Sequence, residues 1–192
     1  MPKTQKIFYD TEFLETYKEI DLISIGMIRE DGKEFYAVSS EFNTLAVAKH
    51  SWLMDNVMTS IGHKIITSHV TGTGQPVPDL ELGDPALMTR RQIRQGILEF
   101  CHDIRPDFWA WYGAYDHVAL CQLFGTMVDL PAKFPMFTSD LKQLVKMAGN
   151  PDMPQQSDGK HNALDDARFN LVRYGYLMKL MDGKVLRYSG KF

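Results

Sequence analysis

A chain of 192 residues suffices for one well-packed domain and is short for two, so residues 1–192 are read as a single domain. With 44% hydrophobic and 23% charged residues it has a globular composition, and no apolar run approaches the roughly 20 residues that cross a bilayer. The formal net charge of −3 argues against a protein that coats long nucleic acid by neutralising phosphates, which is normally basic. It does not exclude an enzyme that grips a strand end through metal ions, because carboxylate ligands themselves lower the net charge. Met1 to Lys6 lacks the apolar segment of a signal peptide, which makes the cytoplasm the expected location. Cys101 and Cys121 stand apart on apolar stretches with no second ligand pair, so both are read as reduced core thiols.

The first predicted element is a strand from Lys6 to Phe13, followed by a buried strand from Asp21 to Ile28. Asp31-Gly32 is a two-residue hairpin signal leading into Phe35 to Val38, so the chain opens as an antiparallel meander. A helical pattern follows Phe42 (Leu45, Ala46, Ala48, Trp52, Leu53, Val57), and residues 62–88 then lose periodicity and gather Gly, Pro and Thr as a long irregular loop. Thr89 can cap a helix with its apolar face on Ile93, Ile97, Phe100, Cys101 and Ile104; Arg90, Arg91 and Arg94 on its other side are a solvated face or phosphate contacts. Pro106 is expected to end that segment, and Asp107 to Tyr112 reads as an aromatic strand turning through Gly113 into a helix to Cys121, the crossover pattern of a parallel pair. Met136 to Asp140 reads as a fifth strand entering a helix from Leu141 to Met147. After a polar loop over 150–160, the last helix is expected from about Asn162 to Met181, with a polar tail over 182–192. The fold class is therefore α/β, with a mixed five-stranded sheet, three antiparallel strands then two parallel, flanked by helices.

Chemistry concentrates at a few acids. On an extended chain Asp10 and Glu12 share a face, about 6–7 Å apart at roughly 3.3 Å per residue. Such a pair on an apolar strand suits a hard divalent cation, although two acids on an exposed edge strand would look the same. Asp116 stands where an aromatic strand turns into a helix, a place where α/β sheets put functional groups and also where an ordinary first-turn acid sits. His161 and Asp166 bracket the start of the last helix; Asn162 is a candidate N-cap and Asp165 completes a capping-box-like pair with it. That leaves Asp166 without a structural task, with Asp165 as the second choice for pairing with His161.

Together Asp10-x-Glu12, Tyr115-Asp116 and His161-x-x-x-x-Asp166 resemble the three motifs of the DEDDh 3′-5′ exonucleases of the ribonuclease H-like superfamily. The stretches Phe8 to Phe13, Asp21 to Gly26, Glu34 to Ser39 and Trp109 to Gln122 look most like the ribonuclease AS family, with an insertion over residues 55–88. The resemblance implies a ribonuclease H-like fold, trimming of RNA 3′ ends with a preference for adenylate tracts, and a homodimer. Asp10, Glu12, Asp116 and Asp166 become the expected ligands of two Mg2+ or Mn2+ ions. Ions about 3.5–4 Å apart activate a water and stabilise the leaving oxygen in such sites. His161 becomes the expected general base, since an imidazole with an ordinary pKa near ~6.5 can accept the proton of the attacking water.

Phe13 and Leu14 follow the first acid pair, where family members hold the terminal bases; Tyr112 and Tyr115 are the further expected substrate contacts. Trp109, Trp111 and Tyr112 are otherwise expected in the core of a central strand. Single-stranded DNA is the alternative substrate, because groups that attack phosphate do not sense a 2′-hydroxyl. A non-catalytic module that binds nucleic-acid ends is the alternative of another class, against which all five catalytic positions speak.

Overall fold

The computed structural model describes residues 2–61, 66–70, 74 and 76–188. A long central strand, β1 (Lys3–Glu15), pairs antiparallel with β2 (Ile20–Arg29), which pairs antiparallel with β3 (Glu34–Ser39). Beyond β3 come α1 (Thr44–Val47), a π-helical turn over Leu53–Met58 and α2 (Thr59–Ile61). Next are β4 (Ile66–Val70), β5 (Pro76–Leu80), β6 (Leu87–Met88) and α3 (Arg90–Phe100). The second half runs β7 (Ile104–Ala110), α4 (Ala114–Gln122), β8 (Ser139–Asp140), α5 (Leu141–Met147) and α6 (Ala163–Tyr188).

The main sheet has the order β6-β3-β2-β1-β7-β8, six strands where five were expected. The extra one is β6, two residues that pair parallel with Val38 and Ser39 on the far edge of β3. It lies at the end of the 62–88 segment, whose Gly, Pro and Thr content hid three short strands from a periodicity argument. β4 and β5 pair with each other in a separate two-stranded sheet; residues 62–65, 71–73 and 75 lie outside the described residues.

Alternation along β1 creates two cores. Ile7 and Tyr9 point to one face and pack with Ile93, Ile97, Phe108 and Leu120, whereas Phe8 points to the other with Ile28 and Ala167. Helices cover both faces, which is why all ten residues of β2 are buried. Asp10 and Glu12 share the parity of Phe8 and so emerge on the α6 side.

Four boundaries differ from expectation. Pro106 lies inside β7, opposite Gln5, and does not end the helix before it; β8 borders β7 only at Trp109 and Ala110, so a proline there removes no bond from that ladder. The same strand stops at Ala110, and Trp111 and Tyr112 leave it, Tyr112 in the left-handed region at φ 58°. The strand before α5 shrinks to two residues, leaving Met136 and Phe137 exposed. α6 continues past Met181 to Tyr188, taking in much of the expected tail, of which residues 189–192 lie outside the described residues. Thr89 caps α3 with Gln92 in a reciprocal capping box, as its position suggested.

The helix that closes the sheet is seated by an absent side chain. Gly26 of β2 lies opposite Asp10 of β1, and a Cβ added there would overlap the backbone of Ala163 and Leu164 at the start of α6. We expect Gly26→Ala to destabilise the protein by at least about 3 kcal/mol, because the obstacle is backbone and not a flexible side chain; denaturant unfolding measures it.

A second fastening holds the other end of β2. Arg29, whose side chain is 3% exposed, donates to Gln5 Oε1 (2.6 Å), Asp31 Oδ2 (2.7 Å), Asp103 Oδ1 (2.8 Å) and the Phe100 carbonyl (3.2 Å). Bonding to this guanidinium lowers the Asp103 carboxyl to about 2. A carboxyl lowered in the folded state adds stability above its unfolded pKa and loses it as pH falls through the folded one. Unfolding followed by pH should therefore show a loss between about 4 and 2 that is smaller in Asp103→Asn.

Candidate active site

The acids meet at the end of β1. Asp10, Thr11, Glu12 and Phe13 form the floor of a pocket closed by Asp116 of α4, by His161 and Asp166 at the start of α6, by Trp52 and Leu53, and by Trp111, Tyr112 and Tyr115. Glu12, His161 and Asp166 each offer a ligand atom within 4.8 Å of the others. Asp165, the second choice, turns away to Arg168 (2.7 Å), so the alternative pairing with His161 is not the one the fold makes. Asn162 caps α6 as expected through Oδ1, but its backbone N–H goes to the Gly159 carbonyl and Asp165 does not complete the box.

Each acid is held by a local device. Asp116 accepts both the backbone N–H (2.8 Å) and the hydroxyl (2.6 Å) of Thr11 on the single oxygen Oδ1. Asp166 accepts the backbone N–H of His161 at 2.9 Å, which orients its carboxylate one turn into the helix. His161 adopts φ 64°, an uncommon conformation for a residue with a Cβ. Its carbonyl accepts from the Ser60 hydroxyl, and Trp52 meets its ring edge-on with centroids 4.8 Å apart. The insertion-side segment therefore grips the residue that precedes α6.

Burial and mutual repulsion raise these carboxyls. Glu12 is pushed up to about 8 by burial, then by the charges of Asp166 and Asp116. Burial raises Asp116 to about 6 although the two Thr11 bonds pull it down. Asp10 moves well up for the same reason, with Asp116, Glu12 and Asp166 adding to its burial and Arg173 only partly relieving it. Asp166 also rises through burial, offset in part by Gln156 and His161. A buried acidic cluster of this kind, with oxygen donors and no thiolate, fits hard divalent cations such as Mg2+ or Mn2+. Cys101 and Cys121 are buried elsewhere, in the core.

The expected substrate contacts divide. Phe13 stacks on Tyr115 with centroids 5.8 Å apart, and Tyr115 is pinned by donating to Glu15 Oε1 (3.1 Å), so the two rings form one shelf in the pocket. Tyr112 stands at the mouth, 61% exposed. Leu14 does not line the pocket and is buried with Ile23 and Val47. Arg90 pairs with Asp21 and Arg94 sits over the Phe124 ring, and neither, nor Arg91, lines the pocket. Sequence reasoning missed Thr11, Trp52, Ser60 and Arg173. Gly26 had a readable signal, a glycine inside a strand, which marks close backbone approach.

Two relatives named 3′-5′ exoribonuclease, from two strains of Mycobacterium tuberculosis, are each 42% identical over 172 residues, covering 88% of this chain and 90% of theirs. The chain belongs to this exoribonuclease family. It is a hydrolase, a 3′-5′ exonuclease. A solved structure, the zinc-bound form of the Escherichia coli ExoI–ssDNA complex, matches with a TM-score of 0.57 at 10% identity. That match covers 97% of this chain and 42% of the ExoI chain, and shows the ribonuclease H-like fold. No family model matches.

The crowded acids make a prediction about the exonuclease without metal. A carboxyl raised by folding contributes stability below its unfolded pKa and loses it as pH rises through the folded value, so at pH 9, above the folded value of about 8 for Glu12, the site carries most of its repulsion. With divalent ions chelated at that pH, Asp10→Asn should melt about 2–4 °C above the unsubstituted protein, the shift that ~1 kcal/mol produces at this size. Added magnesium should raise the melting temperature of the unsubstituted protein and leave that of the variant unmoved.

Proposed function

We propose that this exonuclease shortens single-stranded RNA from the 3′ end, releasing nucleoside 5′-monophosphates, with adenylate-rich ends preferred. The observation that carries the reading is the meeting of Asp10, Glu12, Asp116 and Asp166 in one pocket with His161 and a stacked aromatic shelf. The name of the mycobacterial relatives supports ribose over deoxyribose. The motif spacing supports the DEDDh type and the ribonuclease AS branch, and with that branch a cytoplasmic homodimer.

Asp10, Glu12, Asp116 and Asp166 would hold two Mg2+ or Mn2+ ions. When bound, such ions supply charge stabilisation at the reacting phosphate and activate water. The residues do the rest. The Phe13–Tyr115 shelf receives the terminal base, since stacking is worth about 1–3 kcal/mol per base and tolerates any base. Tyr112 borders the mouth through which the strand enters. His161 takes the proton of the attacking water on its imidazole, while its backbone N–H fixes Asp166, so one residue serves the base and a ligand at once.

The test is digestion of end-labelled oligo(A), oligo(U) and oligo(dA) with magnesium. Stepwise shortening fastest on oligo(A) is expected. Equal rates on oligo(A) and oligo(dA) would transfer the reading to single-stranded DNA, and no shortening at all would leave only an end-binding module. His161→Ala should lower kcat by about 10²–10⁴-fold, the usual worth of general acid–base catalysis, while magnesium still raises its melting temperature. Glu12→Gln and Asp166→Asn should lose both.

A further inference from the structure

Two cations beside the pocket rest on aromatic rings and not on carboxylates. The Arg173 guanidinium lies 4.3 Å from the centroid of Trp111 and 4.5 Å from that of Phe169, a plate held between two rings. The Lys142 ammonium lies 5.3 Å from the Trp111 centroid and 5.9 Å from that of Tyr112. Among the described residues neither cation forms a salt bridge, in a chain with 24 acids. The rings themselves lead to the chemistry: Trp111 and Tyr112 line the same pocket as Asp10, Glu12, Asp116 and Asp166.

The arrangement has a built character. Arg173 donates to Asn170 Oδ1 at 2.8 Å, and Asn170 is fully buried and donates to the Tyr9 carbonyl at 3.2 Å, so the guanidinium is tied to β1 one residue before Asp10. Lys142 stands in the first turn of α5, and Asp140, which caps that helix, also accepts the Gly113 N–H at 3.2 Å, fixing the Trp111–Tyr112 turn beside it. Tyr112 holds a left-handed backbone conformation while its ring stands in solvent. A non-glycine residue in that region is strained and persists where the surrounding structure holds it. Interleaved aromatic rings and unpaired cations are how sequence-tolerant sites track a single strand: rings meet bases and cations meet phosphates.

We propose that Trp111, Tyr112, Lys142 and Arg173 form a track that binds the phosphates and bases of the strand 5′ to the bond being cut. The inference rests on the exonuclease reading above and adds the path of the substrate outside the pocket. Arg173, nearer Asp10, takes the first phosphate beyond the reacting one; Lys142, over the outer ring pair, takes the next.

The experiment measures kcat and KM with magnesium on a ribo-adenylate decamer and on the dinucleotide, over a series of potassium chloride concentrations. The proteins are unsubstituted, Lys142→Ala, Arg173→Gln and Arg173→Lys, with Lys3→Ala as a control of equal charge change at the opposite end of β1. Lys142→Ala should raise KM for the decamer about five- to tenfold, leave the dinucleotide unchanged, and reduce the slope of log KM against log salt by ~0.7, one phosphate contact on a single strand. Arg173→Gln should reduce the slope as far and also change turnover of the dinucleotide, because Arg173 lends charge to Asp10 as well, and Arg173→Lys should keep the slope. Lys142→Ala is the deciding variant, because its side chain rests on two rings and can be removed without opening the core. Decamer KM and salt slope equal to those of the unsubstituted protein and Lys3→Ala would overturn the track alone. An unsubstituted protein that cuts neither substrate would overturn the exonuclease reading with it.

Discussion

The closeness of α6 to β2 is the constraint from which the site follows. Only a residue without a side chain at Gly26 lets the first turn of the helix rest on the sheet beside Asp10. Once it rests there, Asp166 comes within reach of Glu12, and His161 closes the pocket from above. Packing and chemistry are therefore one event. The contacts that seat the helix, Ala163 and Ala167 against the sheet and Asn170 on the Tyr9 carbonyl, are also those that bring its acid to β1.

Assembling four carboxyls in a partly dry pocket opposes folding, and the protein tolerates this by arranging fixed donors around them. Thr11 serves Asp116, the His161 N–H serves Asp166, and Arg173 lends distant positive charge to Asp10. None of these removes the repulsion, as the raised Glu12 and Asp116 carboxyls show. An environment that waits for cations is built by this under-compensation: donors strong enough to orient each carboxylate, too few to neutralise the set.

What was legible in the sequence was whatever depends on period and on local turns. The alternation of Ile7 to Phe13 put Asp10 and Glu12 on one face, and the Asp31-Gly32 turn, the Thr89 cap and the order of strands and helices all appear in the fold. Elements whose pattern is set by a distant partner were hidden. β6 is two residues long and exists because β3 offers an open edge; Pro106 reads as a breaker until it is known that β7 has β1 on one side there and, among the described residues, no strand on the other. In the pocket the acids could be grouped from motif spacing, but Thr11, Ser60 and Trp52 act across 105, 101 and 109 positions of sequence, and no local signal marks them. Leu14, adjacent to Phe13 in sequence, falls on the opposite face and into the core, the cost of reading two neighbours on a strand as one contact.

The Thr11–Asp116 pair sets the denticity of the site. With Oδ1 engaged by two donors, Asp116 has only Oδ2 to offer and can serve a cation as a monodentate ligand. An octahedral ion such as magnesium needs six oxygens and dehydrates reluctantly. A carboxylate that gives one oxygen leaves more of that coordination sphere to water and to a phosphate oxygen. Coordination number would thus become a recognition device: an ion held there would keep water in the positions the protein leaves, and a phosphodiester oxygen would enter by replacing one of those waters.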